Sequence, residues 1–151
     1  MNRRMIVSCA AALLVAVGLG GCSVMNKVTQ QDGAFDLEPG ACFSAASLTT
    51  TVSDVPTKDC AEAHDAEIIG KLMSTVTGDY DQTAITAAAD KQCTQAAVDY
   101  VGPKWIDLDL SLGYLFPDQA SWGNGKRTVI CYARTAGNLP TLTASLKGKG
   151  A

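Results

Sequence analysis

Apolar residues recur every three or four positions between Gln82 and Val101, and this spacing predicts one long amphipathic helix. Asp81 is suited to cap its first turn. Gly102-Pro103 ends it, because glycine adopts the left-handed conformation and proline cannot continue a helix. The predicted apolar stripe is made mostly of small side chains, namely Ile85, Ala89, Cys93, Ala96 and Tyr100. We therefore expect this helix to pack closely against a sheet.

A second pattern, with a period of two, predicts strands. It is clearest over residues 106–112, where Ile106, Leu108, Leu110 and Leu112 alternate with polar residues. Lys126 to Arg134 is a second predicted strand, with Val129, Cys131 and Ala133 on one face, and Ala66 to Met73 is a third. Gly70 interrupts the third pattern.

Shorter strands are predicted near residues 41–45 and 141–146, and one helical turn near Gln119 in the connection 117–125. One long helix beside several antiparallel strands indicates an α+β fold. We predict a small antiparallel sheet packed against the one long Ala-rich helix.

The first 21 residues have the pattern of an export signal. Arg3 and Arg4 precede an apolar stretch of about 16 residues, shorter than the roughly 20 that a transmembrane helix needs. Leu19-Gly20-Gly21-Cys22 resembles the bacterial lipobox, in which small residues precede a cysteine that is lipidated after cleavage. We therefore predict a lipoprotein signal peptide over residues 1–21 and lipidation of Cys22. The alternative is an ordinary signal peptide or an uncleaved anchor.

Residues 22–36 are polar and without a sustained period, and we interpret them as a tether. Residues 37–151 are long enough for one globular domain. The whole chain of 151 residues has 12 basic and 15 acidic side chains and a net charge of -3. Because it has no basic block, the composition argues against nucleic-acid binding. The predicted location is the extracytoplasmic face of the cell membrane, reached through the lipid anchor at Cys22.

Outside the signal and the lipidation site, four cysteines remain: Cys42, Cys60, Cys93 and Cys131. An exported protein meets an oxidising environment, so an even number of cysteines indicates disulfides. Three pairings are possible, and we favour Cys42–Cys60 with Cys93–Cys131, because Cys93 and Cys131 both lie on inward-facing patterns. A zinc site is the alternative, which the wide spacing and the lack of a Cys-x-x-Cys pair make less favoured. We expect no metal and no cofactor.

Several short motifs follow one another in an order that resembles the septum-formation domain family of exported proteins in Gram-positive bacteria. The sharpest is Cys60-x-x-x-His64-Asp65-Ala66-Glu67. The others are Pro39-Gly40-Ala41-Cys42-Phe43, Val55-Pro56, Tyr100-Val101-Gly102, Ser121-Trp122, Gly125-Lys126-Arg127 and Val129-Ile130-Cys131. The resemblance covers most of residues 37–148. It implies a link to cell division and no particular reaction.

His64, the only histidine, has two interpretations. It can be a ligand or proton acceptor beside Asp65 and Glu67, but on a regular strand neighbouring side chains point to opposite faces, so the three would not converge. We favour a structural role, with His64 bonded to backbone near the Cys42–Cys60 disulfide. Trp105 and Trp122 are candidate binding residues, although a tryptophan near a strand is more often a core plug.

No catalytic constellation is recognisable: the chain lacks a Gly-x-Ser-x-Gly motif, and Gly123-Asn124-Gly125 lacks the lysine of a phosphate loop. The predicted function is a non-catalytic interaction module, linked by the resemblance to septum formation or envelope biogenesis. Its partner would be an envelope or division protein. The alternatives are an envelope hydrolase using His64, and a glycan or small-ligand binder using Trp105 and Trp122.

Overall fold

The computed structural model describes residues 31–48, 54–137 and 141–151. Its described strands are β1 (Gln31–Gly33), β2 (Cys42–Phe43), β3 (Asp54–Lys58), β4 (Ala66–Met73), β5 (Leu110–Leu115) and β6 (Thr128–Thr135). The helices are α1 (Gln82–Tyr100) and α2 (Gln119–Gly123), and short 3-10 turns cover Ala45–Ser47 and Trp105–Leu108. Among the described residues, no helix has the length and apolar character that a membrane span needs.

The six described strands form one sheet in the order β1-β3-β2-β4-β6-β5, and each neighbouring pair is antiparallel. With α1 packed on this sheet, the predicted α+β class is confirmed. β4 has the predicted bounds, and the β4–β6 register shifts between Ile68 and Gly70.

The core has two layers, one on each face of the sheet. The α1 side contains Ala89, Cys93, Ala96, Ala97, Val129, Cys131 and Ala133, whereas the other side contains Leu37, Phe43, Val55, Ile68 and Ile130. β6 therefore divides its side chains between the two layers by simple alternation, as the sequence predicted for Val129, Cys131 and Ala133.

Helix α1 has the predicted start and cap: the Asp81 side chain accepts a hydrogen bond of 3.0 Å from the Ala84 backbone nitrogen. Its close approach to the sheet uses Gly70, where an added Cβ would lie 3.0 Å from the Cβ of Ala96. At its end, Gly102 has φ +123°, and an added Cβ there would lie 2.4 Å from the carbonyl carbon of Gly150. The backbone nitrogen of Gly150 donates a hydrogen bond to the carbonyl oxygen of Val101, and its carbonyl oxygen accepts one from the nitrogen of Lys104, both at 2.8 Å. These hydrogen bonds hold the last described segment against the end of α1.

The predicted strand over residues 106–112 is wrong in its first half. Residues 105–108 form a 3-10 turn, Asp109 takes a left-handed conformation with φ 51°, and β5 begins only at Leu110. The backbone nitrogens of Trp105 and Asp107 donate hydrogen bonds to the carbonyl oxygens of Gly102 and Lys104, three residues earlier. These hydrogen bonds replace the strand pairing that the alternation suggested. As a result Ile106 is 69% exposed.

The two shortest predicted strands are also corrected. Near residues 41–45 the strand is only Cys42–Phe43, because the backbone nitrogen of Ala45 bonds to the Asp65 carboxylate and a 3-10 turn follows. Residues 141–146 contribute a single bridge between Leu142 and His64 rather than a strand. The backbone nitrogen of Leu146 bonds to a side chain, that of Glu67, instead of a neighbouring strand.

Two strands have no counterpart in the sequence predictions. β1 lies inside the segment interpreted as a tether, where it pairs with β3, and Ala34 just beyond it is 2% exposed. β3 itself was not predicted, because Asp54, Pro56 and Lys58 have the composition of a loop. The helical turn predicted near Gln119 is α2, capped by the Asp118 carboxylate.

Candidate functional site

A disulfide joins the middle of the sheet to the turn that follows β3. Cys42 of β2 lies opposite Lys58 on one side and Glu67 on the other, and Cys60 reaches it from the turn. The two Cα atoms are 5.3 Å apart, within the usual range for a disulfide. Cys42 is fully buried, whereas Cys60 is half-buried and next to the exposed residues 61–63. The predicted Cys42–Cys60 pairing is confirmed.

The second disulfide, Cys93–Cys131, joins α1 to β6, again with Cα atoms 5.3 Å apart. Both cysteines are almost fully buried, at 1% and 0% exposure. This pairing is confirmed as well, for the predicted reason that both side chains point into the layer between helix and sheet.

His64 lies beside the first disulfide and is 2% exposed. Its backbone exchanges two hydrogen bonds with Leu142, and its Nδ1 is 2.8 Å from the carbonyl oxygen of Glu62. Since a carbonyl only accepts, Nδ1 carries the proton, and His64 makes a hydrogen bond to backbone near the Cys42–Cys60 bond. The other ring nitrogen, Nε2, is buried and has no hydrogen-bond partner among the described residues.

Glu67 has no exposed surface, and its carboxylate is held by three hydrogen bonds of 2.6 Å. Oε1 accepts from the hydroxyls of Tyr100 and Ser145, and Oε2 accepts from the backbone nitrogen of Leu146. Burial and the hydrogen bond to Glu67 raise the pKa of Tyr100 to about 12, although its contact with Ser145 opposes the shift. This carboxylate thus joins β4, the end of α1 and the last described segment.

The disulfide, His64 and Glu67 form one compact group, which we call the Cys-His-Glu cluster. One ligand-type atom from each of Cys42, Cys60, His64 and Glu67 lies within 4.8 Å of all the others. Sulfur, imidazole nitrogen and carboxylate oxygen are the atoms with which proteins bind zinc. In the disulfide form the two sulfurs are bonded to each other and offer no thiolate.

Sequence reasoning placed His64 near the disulfide but did not bring Glu67 to it. The chain bends at Asp65 between the His64 bridge and the start of β4, so strict strand alternation does not separate His64 from Glu67. Asp65 does leave the group, since its carboxylate accepts from the backbone nitrogen of Ala45 at 2.7 Å. The Cys60-x-x-x-His64-x-x-Glu67 spacing contains three of the four residues of the cluster. The fourth, Cys42, comes from β2 and is brought to the other three only by the fold.

Trp122 is a buried core residue with 1% exposure. Its indole nitrogen donates to the carbonyl oxygen of Gly78 at 2.9 Å, and the Arg127 guanidinium lies 3.8 Å from the ring centroid. Tyr80 meets the same ring edge-on at 6.1 Å. Trp122 edges a surface groove of about 510 Å³ together with Asp79, but its ring face is covered by Arg127.

Trp105 is half-buried and lines a different groove of about 520 Å³, with Asp90, Lys91, Thr94 and Leu112. The two tryptophans that the sequence offered as a binding pair thus line separate grooves. The predicted lipidation residue, Cys22, and the signal segment lie outside the described residues.

A model of the septum-formation family matches the chain over residues 3–131 and also over residues 73–149. The chain belongs to the septum-formation family. No curated protein and no solved structure is significantly similar to it. The resemblance inferred from the motifs is confirmed by this match.

Within this septum-formation domain, the residues of the Cys60-x-x-x-His64-Asp65-Ala66-Glu67 motif pack together at one place in the fold. Cys60, His64 and Glu67 belong to the Cys-His-Glu cluster, and all three lie inside the first matched range. Asp65 fastens the 3-10 turn after β2, and Ala66 begins β4 with no exposed surface. The motif residues therefore form the packed contact between β2, β4 and the segment that contains Leu142.

Proposed function

We propose that this protein is a lipid-anchored extracytoplasmic component of septum formation that acts as a non-catalytic interaction module. Membership of the septum-formation family carries the proposed role. The partner would be a protein of the envelope or the division machinery, and the anchor would be a lipid on Cys22.

Two features support the proposed location. The Cys42–Cys60 and Cys93–Cys131 disulfides are typical of proteins that fold in an oxidising compartment outside the cytoplasm. The Leu19-Gly20-Gly21-Cys22 sequence supports lipidation, because it combines small residues with a cysteine directly after an apolar segment.

The burial of His64, the candidate catalytic residue, supports a non-catalytic role. His64 is 2% exposed and lines none of the grooves near Thr75, Trp122, Leu142 and Trp105. A general base must come within hydrogen-bond reach of a substrate proton, which a side chain enclosed by backbone does not do. Exposed apolar side chains such as Ile106 and Met73, at 69% and 64%, are instead suited to contact with another protein.

The anchor is tested by feeding a clickable fatty acid to cells that express the chain or its Cys22→Ala variant. We expect the label and the membrane association of the chain to be lost in Cys22→Ala. A Cys9→Ala variant is the matched control, since Cys9 lies within the predicted signal. Equal labelling of the Cys22→Ala variant and the unsubstituted chain contradicts lipidation at Cys22.

The role is tested by site-specific photo-crosslinking in dividing cells, with the crosslinker at Ile106 or Met73 and, as a control, at the exposed residue Thr83. We expect a discrete product containing a division or envelope protein from at least one apolar position and none from Thr83. A fluorescent fusion should concentrate at the septum. Uniform distribution of the fusion together with the same crosslinks from all three positions contradicts the proposed role.

A further inference from the structure

The Cys-His-Glu cluster has the size and composition of a four-ligand metal site. Its four ligand-type atoms lie within 4.8 Å of one another. In a tetrahedral zinc site with two sulfur and two lighter ligands, neighbouring ligand atoms are about 3.3–3.8 Å apart. Shifts of the order of an ångström in side chains would therefore bring the four atoms to coordinating positions.

His64 is oriented as a metal-binding histidine is. Its Nδ1 donates to the carbonyl oxygen of Glu62, which leaves the lone pair on Nε2. A ligating histidine usually donates its other ring nitrogen to a backbone carbonyl or a carboxylate in this way. Nε2 is buried and unpartnered within the described ranges, and a buried nitrogen with no hydrogen-bond partner destabilises the fold.

Glu67 is a buried acidic group without a cationic partner in the part of the chain that the structure describes. A carboxylate has about four acceptor sites, and Glu67 uses three of them, two on Oε1 and one on Oε2. Oε2 therefore retains a lone pair for a metal ion. A divalent cation would also supply the positive charge that a buried carboxylate lacks.

The sulfurs complete this set once the bond between them is broken. Cys60 is half-buried in a turn whose residues 61–63 are exposed, so a reductant can reach it, whereas Cys93 and Cys131 are enclosed. Two thiolates, an imidazole and a carboxylate make a borderline-soft set that suits zinc better than magnesium or calcium. We propose that Cys42, Cys60, His64 and Glu67 bind Zn²⁺ when a dithiol reduces the Cys42–Cys60 disulfide.

The reaction balances with a dithiol as the electron donor. One of its thiolates attacks a sulfur of the Cys42–Cys60 bond, which releases one cysteine thiolate and leaves a mixed disulfide with the other cysteine. The second thiol of the reductant, as its thiolate, attacks that mixed disulfide and releases the second cysteine thiolate. The dithiol is oxidised to a disulfide, and Cys42 and Cys60 each gain one electron and one proton. Zn²⁺ then replaces the two thiol protons, which pass to solvent. Reoxidation by a disulfide oxidant, which is itself reduced to two thiols, would release the ion, so the state of this one bond controls whether metal binds.

The test uses the full chain with Cys9→Ser and Cys22→Ser, so that the four cysteines of the domain are the only ones present. A phosphine reductant is used in vitro, because it does not chelate zinc as a dithiol would. Alkylation and mass spectrometry then confirm that Cys42 and Cys60 are free and that Cys93–Cys131 is intact. We expect one Zn²⁺ per reduced chain, bound at least about 100-fold more tightly than by the oxidised chain. Cobalt should give the absorption bands of thiolate coordination in the reduced chain only.

Two variants test the ligands, and a third is the control. His64→Asn keeps a donor for the Glu62 carbonyl and removes Nε2, so zinc affinity should fall by about 10- to 100-fold. Cys60→Ser should remove the thiolate bands and serves as the second variant if His64→Asn is poorly folded. Asp65→Asn is the matched control, because the Asp65 carboxylate accepts a hydrogen bond from the backbone nitrogen of Ala45 outside the cluster. The zinc affinity of this variant should equal that of the unsubstituted protein.

Any of three results overturns the proposal. The first is equal zinc affinity in the oxidised and reduced chains. The second is tight binding that survives both His64→Asn and Cys60→Ser. The third is that Cys42–Cys60 cannot be reduced without unfolding the chain in the presence of zinc.

Discussion

The hydroxyl of Tyr100 donates a hydrogen bond of 2.6 Å to Oε1 of Glu67, a residue 33 positions earlier in the chain. This bond fastens the end of α1 to β4. Because burial and the neighbouring carboxylate raise the pKa of Tyr100 to about 12 from its ordinary value of 10.0, the folded protein holds the phenol proton more tightly than the unfolded chain does. The associated stability is present below pH 10.0 and is lost as the pH rises through about 12.

We predict that the ultraviolet absorbance of tyrosinate will show a component with a pKa of about 12 in the folded protein, and that Tyr100→Phe will remove this component. Burial and the nearby charge of Asp90 also raise the pKa of Tyr114, and that shift should remain in Tyr100→Phe. Tyr80→Phe is the control, since the ring of Tyr80 contacts Trp122 edge-on and phenylalanine keeps that contact. Tyr100→Phe should also lower the free energy of unfolding by about 1–2 kcal/mol at neutral pH, measured with urea. If the component that Tyr100→Phe removes titrates at the ordinary pKa of 10.0, the hydrogen bond to Glu67 is absent.

Gly102→Ala should destabilise the protein more than Gly125→Ala. Both glycines have positive φ angles, but only at Gly102 would the added Cβ meet backbone, 2.4 Å from the carbonyl carbon of Gly150. We expect Gly125→Ala to cost about 1–2 kcal/mol from backbone strain alone. Gly102→Ala should cost more and should increase amide hydrogen exchange at Lys104 and Gly150. Equal costs would mean that Gly150 does not pack on the end of α1.

Replacing both Cys93 and Cys131 with alanine should lower the free energy of unfolding by about 4 kcal/mol. This disulfide closes a loop of 38 residues, and its chief effect is to restrict the unfolded chain. The measurement is urea denaturation followed by circular dichroism. Lys91→Ala, an exposed change on the same helix, should leave the urea midpoint nearly unchanged. A loss below about 1 kcal/mol for the double variant would contradict the loop-entropy argument.

Arg127→Lys should destabilise the protein although the charge is kept. The guanidinium stacks 3.8 Å from the Trp122 ring centroid and donates to the carbonyl oxygens of Trp122, Lys126 and Gly78. A lysine ammonium cannot reproduce this flat arrangement of donors, so we expect a loss of about 1–3 kcal/mol in urea and a change in tryptophan fluorescence. Arg134→Lys, at an exposed position of β6, is the control. Equal stability of the two variants would argue against the stacking contact.

The elements predicted well from sequence are those whose pattern is local. Helix α1 carries its own periodicity, cap and stop, β6 carries the apolar run 129–133, and β4 carries apolar residues on both sides of Gly70. The disulfide Cys93–Cys131 was predictable because each cysteine lies on an inward face of such an element.

The elements missed depend on distant neighbours. β3 contains Pro56 and only one fully buried residue, Val55, so its strand conformation comes from β1 and β2 on either side. The alternation over residues 106–112 suggested a strand, but a turn fixed by backbone bonds to Gly102 and Lys104 occupies its first half. The cluster site was predictable only as far as His64 and its disulfide, since no local pattern shows that Ser145 and Leu146 hold Glu67.

The position of Glu67 imposes an order of events on a chain that is synthesised from its N-terminal end. Glu67 emerges 78 residues before Ser145 and 79 before Leu146, which supply two of its three hydrogen bonds. Until they arrive, closing β4 against α1 would enclose a carboxylate with Tyr100 as its sole donor, a costly burial. Assembly of this domain is therefore completed only after residue 146 has been synthesised, and proteolytic removal of that segment would leave the Glu67 carboxylate with one of its three hydrogen bonds.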